Sequence, residues 1–243
     1  MKEALIIGGA NGIGLSVAME LAALPETHCI HIVDKTPLAD AYKSNKVHSH
    51  VFDLLQNDYS FFNQFENIDT LFITAGFGKL SLFKDIDDTL ISTYFSVNTI
   101  ASIRILKHFY AKLESPEPFY CGTMVSIAGY LSSPFFSVYG ATKAAMRSFI
   151  ESVNIELTKS GTSNRILNVS PGFIKGTSFN QGVTDLLQTK LLAQQIIAQL
   201  RKQSDLFIPQ YDEVFKDVLE RYHADFRAEG LRSYDYKLNS GRI

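Results

Sequence analysis

Cysteine is nearly missing: Cys29 and Cys121 are the only two in 243 residues, and both fall in or beside stretches read as strands. Two thiols so placed give no disulfide framework, and the chain reads as one kept in a reducing, cytoplasmic compartment. Net charge is scarce too, since 23 Lys and Arg against 25 Asp and Glu leave −2. Without a basic excess there is no electrostatic footprint for nucleic acid or an anionic membrane surface. No apolar run approaches the length of a membrane span. Met1-Lys2-Glu3 leads into a short apolar run that soon meets glycines, unlike a secretory leader. Internal repeats, low-complexity tracts and Pro- or Gly-rich linkers are also lacking, and Ser115-Pro-Glu-Pro118 reads as a short loop. What remains is 46% hydrophobic and 20% charged, enough to bury a full core. The expectation is one domain over 1–243, with a divergent C-terminal segment from about 205.

Short apolar or β-branched runs at 4–7, 29–33, 47–52, 70–74, 123–127, 166–169 and 206–208 alternate with longer segments of helical spacing. The helical segments cover about 12–23, 59–65, 87–113, 139–159 and 185–203. Strands alternating with helices imply a parallel sheet covered on both faces. The predicted class is therefore α/β: a doubly wound, Rossmann-type parallel sheet of about seven strands, with right-handed crossovers.

Gly8, Gly12 and Gly14 stand where the first strand ends and the first helix begins, with Asn11 and Ile13 between them. A backbone that turns sharply and admits a pyrophosphate cannot carry Cβ atoms there, and the helix N-terminus offers N–H groups to the phosphates. Asp34 closes the second strand, 20 residues after Gly14, where a carboxylate meets the adenosine ribose hydroxyls and repels a 2′-phosphate. NAD is accordingly favoured, with Lys35 leaving room for NADP. Asp53, followed by Leu54, ends the third strand and suits either the adenine amino group or a helix N-cap. Glycines alone would describe any tight turn; the strand, helix and acid around them narrow the reading to a dinucleotide.

Tyr139 and Lys143 are four residues apart, so their side chains share a helical face. Ser126 lies near the C-terminal end of a predicted strand, the edge at which such sheets hold ligands. Asn98 falls within the long segment 87–113. Moving a hydride at a carbonyl carbon requires a proton to move at the oxygen. A Tyr with a pKa near 10 becomes a competent base beside an ammonium and a cationic ring. Ser126 would hold the substrate oxygen, and Asn98 would anchor a water linking Lys143 to solvent. Any one of these residues alone would be unremarkable; the four in this order are not.

Gly8-Gly-Ala-Asn-Gly-Ile-Gly14, Ala75-Gly76, Val97-Asn98, Ser126-Ile-Ala-Gly129, Tyr139-Gly-Ala-Thr-Lys143 and Pro171-Gly172 together resemble the short-chain dehydrogenase/reductase family, in its short single-domain branch. The resemblance covers about 1–176. It implies a catalytic tetrad of Asn98, Ser126, Tyr139 and Lys143, an NAD or NADP cofactor, and a small-molecule alcohol or ketone as substrate. Ala75 and Gly76, Pro171 and Gly172, then Ile174 and Thr177, would line the cofactor. The long helical segments resemble those of a family dimer contact, so a homodimer or homotetramer is expected. Two departures pair up: Ile7 stands where the family usually has Thr, and Thr74 where it has Asn, at neighbouring sites of the sheet.

The C-terminal third departs most. Tyr211, Phe215, Leu219, Tyr222 and Phe226 are spaced as one helical stripe, suited to packing on the same subunit, a partner contact or a lid. Residues 232–243 read as loosely ordered, and the segment 176–184, with Phe179, Asn180, Gln181 and Val183, as a moderately apolar cover. His48 and His50 share a strand face, but without a third ligand nearby no metal is expected. Two functions remain open: an oxidoreductase interconverting a secondary alcohol and a ketone, or a catalytically silent dinucleotide-sensing regulator or scaffold. The second would be expected to have lost Tyr139 or Lys143.

Overall fold

In β1 (Glu3–Ile7), Leu5 and Ile7 enter one hydrophobic cluster and Ala4 and Ile6 another, and all four are buried. Such period-two alternation with both sides apolar is what a strand covered on both faces requires. The same holds along β2 (Cys29–Asp34), where Ile30, Ile32 and Val33 are buried, and along β4 (Thr70–Ile73) and β6 (Ile166–Val169), buried throughout. Less buried are β3 (Val47–Val51), β5 (Tyr120–Met124) and the two-residue β7 (Leu206–Phe207). The computed structural model, which describes residues 1–177, 179 and 182–240, joins all seven into one parallel sheet ordered β3-β2-β1-β4-β5-β6-β7. The winding reverses between β1 and β4, and the crevice beyond the strand ends there is where such sheets bind ligands.

Helices α1 (Gly12–Ala22) and α6 (Leu186–Arg201) pack together over the face carrying Ala4 and Ile6. The opposite face is covered by α2 (Asp88–Phe95), α3 (Ala101–His108), α4 (Tyr110–Glu114) and α5 (Ser137–Ser160). Ile105, Leu106, Ile150 and Leu157 supply its core. Among the described residues, no helix is long and apolar enough to cross a membrane.

Several elements differ from their sequence reading. The segment 87–113 is not one helix: α2, capped by the Asp87 carboxylate on the Leu90 N–H, runs into a π-helical turn at Ser96–Ile100 before α3 begins. A π turn carries an extra residue per turn, which an apolar repeat does not encode, and such turns concentrate at functional sites. Residues 60–65 form a 3-10 helix whose Phe62 and Phe65 are buried, and side-chain burial rather than helix propensity holds it. The fifth strand lies earlier than expected, at Tyr120–Met124, so Ser126 follows it rather than belonging to it. No helix starts at Asp53, and the next one, at 60–65, is headed by Tyr59, so Asp53 is not a helix N-cap; its carboxylate accepts from the Leu55 N–H at 2.9 Å within a turn.

The C-terminal stripe is also broken. A π turn at Tyr211–Phe215 passes into α7 (Lys216–Ala224), and α8 (Phe226–Asn239) starts afresh. Asp225 accepts from the N–H groups of Arg227 and Ala228, and a carboxylate held this way caps a new helix instead of continuing the old one. Phe226 is left 56% exposed, off the stripe. Residues 232–239 are helical rather than loose: Lys237 is buried and donates to Ser133 Oγ and the Pro134 carbonyl, both at 2.7 Å. Residues 241–243, Asn180 and Gln181 lie outside the described residues.

His48 and His50 do share a face, together with His31, whose Nδ1 stands 3.1 Å from His50 Nε2. Burial holds the imidazoles of His31 and His50 below their ordinary value. Among the described residues, no group of three or more His, Cys, Asp or Glu is placed to hold a metal ion.

Candidate active site

The glycine turn is strained backbone made possible by missing side chains. Gly8 has φ of 83° and Gly12 φ of 55°, both left-handed. A Cβ on Gly8 would stand 2.4 Å from the Ala75 nitrogen; one on Gly14 would stand 2.4 Å from the Gly8 carbonyl oxygen and from Thr74 Oγ1. Thr74 closes the turn by donating its hydroxyl to the carbonyls of Ile7 and Gly8, at 3.1 and 2.8 Å. The two departures at 7 and 74 thus meet at one hydrogen-bonding site. A cradle closed to side chains, at the head of a helix, fits a pyrophosphate. One contact there was not legible in the sequence: the Gly12 N–H donates to Thr184 Oγ1 at 3.0 Å.

A cavity of about 1230 Å³ opens from this turn. It is lined by Gly8, Asn11, Gly12, Ile13 and Gly14, by Asp34 at the end of β2, and by Asp53 and Leu54 after β3. Ala75 and Gly76 after β4, and Pro171, Gly172, Ile174 and Thr177 after β6, complete the same lining. Every cofactor position read from the sequence therefore reaches one space, with Tyr139, at the C-terminal ends of the strands, apart from Lys143, which lies behind it. Both Asp34 oxygens are held, one by the Ala10 N–H and the other by the Thr36 N–H and hydroxyl, each at 3.1 Å. The Thr177 hydroxyl donates to the Ile174 carbonyl at 3.1 Å.

Tyr139 and Ser126 line this cavity, whereas Lys143 and Asn98 lie behind it, 4% and 1% exposed. The Lys143 Nζ is 5.7 Å from the Tyr139 ring centroid and donates to the Met124 carbonyl at 2.9 Å. Burial pushes the Tyr139 phenol up to about 12, opposed by a hydrogen bond with Ser126. Burial also brings the Lys143 ammonium down to about 8. Ser126 Oγ accepts from the Ala128 N–H at 3.1 Å, and the Ile127 N–H donates to the Pro171 carbonyl at 3.0 Å, so the serine loop is tied to the cofactor wall. Asn98, in the π turn, bonds both the N–H and the carbonyl of Phe77 at 2.9 Å. A Cβ on Gly76 would sit 3.1 Å from Asn98 Oδ1 and 3.5 Å from Lys143 Nζ, so the fourth strand's end passes between two of the four residues.

The buried lysine carries a testable consequence. The unfolded chain keeps this proton up to about pH 10.5, the folded chain releases it near 8, so the unfolded state binds more protons in between and stability rises with pH there. Tyr139 acts oppositely, but only above its unfolded value of 10. Denaturant melts from pH 8 to 10 should show a rise of about 2–3 kcal/mol that disappears in Lys143→Met. An unchanged slope in the variant would show that the ammonium is not the group responsible.

Aromatic rings surround the phenol: Phe136 and Phe179 lie 5.1 and 5.4 Å from Tyr139, centroid to centroid. The other wall comes from the C-terminal helices, whose stripe the sequence offered as a subunit packing face, a partner contact or a lid, while its charged residues Arg221, Glu229 and Arg232 were not read at all. Phe215 lies on Gly172, where a Cβ would meet its Cζ at 2.5 Å, and Val218, Arg221, Glu229 and Arg232 line the cavity beside it.

A family model described as short chain dehydrogenase matches residues 2–187. Among curated proteins, the chain is 27% identical over 233 residues to the uncharacterized oxidoreductase YvrD of Bacillus subtilis, covering 91% of this chain and 84% of that protein. Among solved structures, it is similar in fold to a short chain dehydrogenase/reductase from Burkholderia phymatum in complex with NAD. The TM-score is 0.79 at 17% identity, covering 94% and 95% of the two chains. A short chain dehydrogenase from Burkholderia cenocepacia J2315 in complex with NADP gives 0.78 at 17% identity, covering 96% and 99%.

Proposed function

The chain belongs to the short-chain dehydrogenase family, a nicotinamide-dinucleotide-dependent oxidoreductase, and from that premise we propose that it interconverts a secondary alcohol and a ketone. The observation that carries this reading is the convergence of Tyr139 and Ser126 on one cavity continuous with the glycine cradle, with Lys143 buried behind them. When bound, the dinucleotide supplies or accepts the hydride. Gly8, Gly12, Gly14, Asn11 and Ile13 would hold its pyrophosphate, Asp34 its ribose, Asp53 and Leu54 its adenine side, and Ala75, Gly76, Pro171, Gly172, Ile174 and Thr177 the remainder.

Tyr139 carries the proton at the substrate oxygen. With its phenol held protonated by burial, it is a proton donor in the reducing direction, and the Ser126 hydroxyl keeps the oxygen within reach. Lys143, buried on the same helical face, favours the phenolate once the proton has left. Asn98 holds Phe77 and the Gly76 approach in place, so the π turn serves to aim one side chain.

NAD is favoured over NADP because the Asp34 carboxylate, fixed by three donors, is not readily turned away from a 2′-phosphate. Solved relatives in fold carry either cofactor, so the preference is read from this chain's own acid. The chain reads as one domain, and exposed Ile100 and Ile155, on the helices the resemblance assigns to self-association, support a homo-oligomer. Loss of reduced-nicotinamide absorbance with a panel of ketones tests the proposal. NADH should be consumed at least about tenfold more efficiently than NADPH, and NADH binding with no turnover on any ketone would favour a sensing protein instead.

A further inference from the structure

The wall formed by α7 and α8 has a charge pattern that the chemistry above does not use. Arg221 grips Glu229 with two nitrogens, Nε to Oε2 at 2.8 Å and Nη2 to Oε1 at 3.2 Å, while Arg232 Nη1 reaches Oε2 at 3.0 Å. Two guanidiniums thus share one carboxylate, itself 9% exposed, and the cavity lining there keeps a positive excess. Arg221 is held by two nitrogens on Glu229, whereas Arg232 meets it through one. Arg232 commits one nitrogen to Glu229 and stays 62% exposed at the cavity. Lys237, by contrast, is an anchor: it donates to Ser133 and Pro134 and holds α8 on the loop before α5. The same lining carries apolar Phe136, Phe179, Phe215 and Val218, the first two packed on the Tyr139 ring.

Resting on the reading of this cavity as a dehydrogenase site, we propose that the substrate is an amphipathic acid, with its carboxylate received by Arg232 beside Arg221 and its carbonyl at Tyr139. A planar guanidinium matches a carboxylate fork, and Glu229 serves to orient the two arginines rather than to neutralise them. The same glutamate opposes a doubly charged phosphate at this spot, which selects a monoanion. The apolar stretch between the arginines and Tyr139 takes the hydrocarbon body.

The test pairs an oxo-octanoate with its methyl ester as substrates, in the wild type and in Arg232→Gln, a change at an exposed side chain. The acid should exceed the ester about tenfold or more in kcat/KM, and Arg232→Gln should lower that ratio about tenfold through the KM of the acid. A second readout needs neither turnover nor cofactor: calorimetric binding of octanoate to the protein alone, expected to weaken about tenfold in the same variant while methyl octanoate binds the wild type more weakly than octanoate does. Acid and ester handled alike by the wild type, or a variant with unchanged ratio and octanoate affinity, overturns the proposal. Arg232-dependent octanoate binding with neither ketone turned over would instead sink the dehydrogenase reading and leave the carboxylate site standing.

Discussion

Tyr139→Phe is expected to lower turnover about a thousandfold while leaving dinucleotide affinity nearly unchanged. The substitution removes one oxygen and keeps the ring, so the packing against Phe136 and Phe179 survives. What disappears is the proton carried to the substrate oxygen, and positioned acid–base groups contribute about 10²- to 10⁴-fold. The phenol is buried, so its removal also relieves desolvation, and the variant should melt no lower than the wild type. Since the chain has no Trp, binding is best followed through the fluorescence of the reduced nicotinamide or by calorimetry. Turnover within about tenfold of wild type would show that another group, or water, moves the proton.

Gly8→Ala should cost at least about 3 kcal/mol of unfolding free energy and abolish tight dinucleotide binding. Two effects add. A φ of 83° strains any L side chain by about 1–2 kcal/mol, and the new Cβ would lie 2.4 Å from the Ala75 nitrogen. That nitrogen cannot retreat, because its N–H is bonded to the Ile7 carbonyl at 3.0 Å. Gly161 supplies the control: its φ is 91°, but nothing stands within 4 Å of a Cβ there. Gly161→Ala should therefore cost only the strain, about 1 kcal/mol, in the same denaturant experiment. Equal losses at the two positions would mean that close approach to β4 contributes nothing.

The contrast between these glycines explains what the sequence could disclose. A glycine between a strand and a helix has few reasons to be there, so the turn at 8–14 and the acid at 34 were readable without coordinates. β1, β4 and β6 were readable because burial on both faces writes apolar runs, whereas β5 begins three residues before the stretch read for it. Tyr139 and Lys143 share a face by helical spacing alone. The break in 87–113 was not readable, since one extra residue at 96–100 leaves the apolar pattern on either side intact. Equally hidden was the contact between Gly12 and Thr184, 172 residues apart, which depends on how the segment before α6 folds back. Residues 211–226 were taken for a single stripe because Asp225 looks like any surface carboxylate until its two backbone donors are seen. Their membership of the cavity depends on docking against Gly172 and the loop at 133–136, which no local pattern records.

The wall built by α7 and α8 also sets an order of events on the ribosome. Synthesis runs from the N-terminus, so the cradle for the dinucleotide and the phenol beside it are extruded well before residues 211–240 leave the exit tunnel. A nascent chain that had already closed its sheet from β1 to β6 would hold its catalytic groups in an unfinished, one-sided cleft. Selectivity for what enters would arrive later, with residues 211–240.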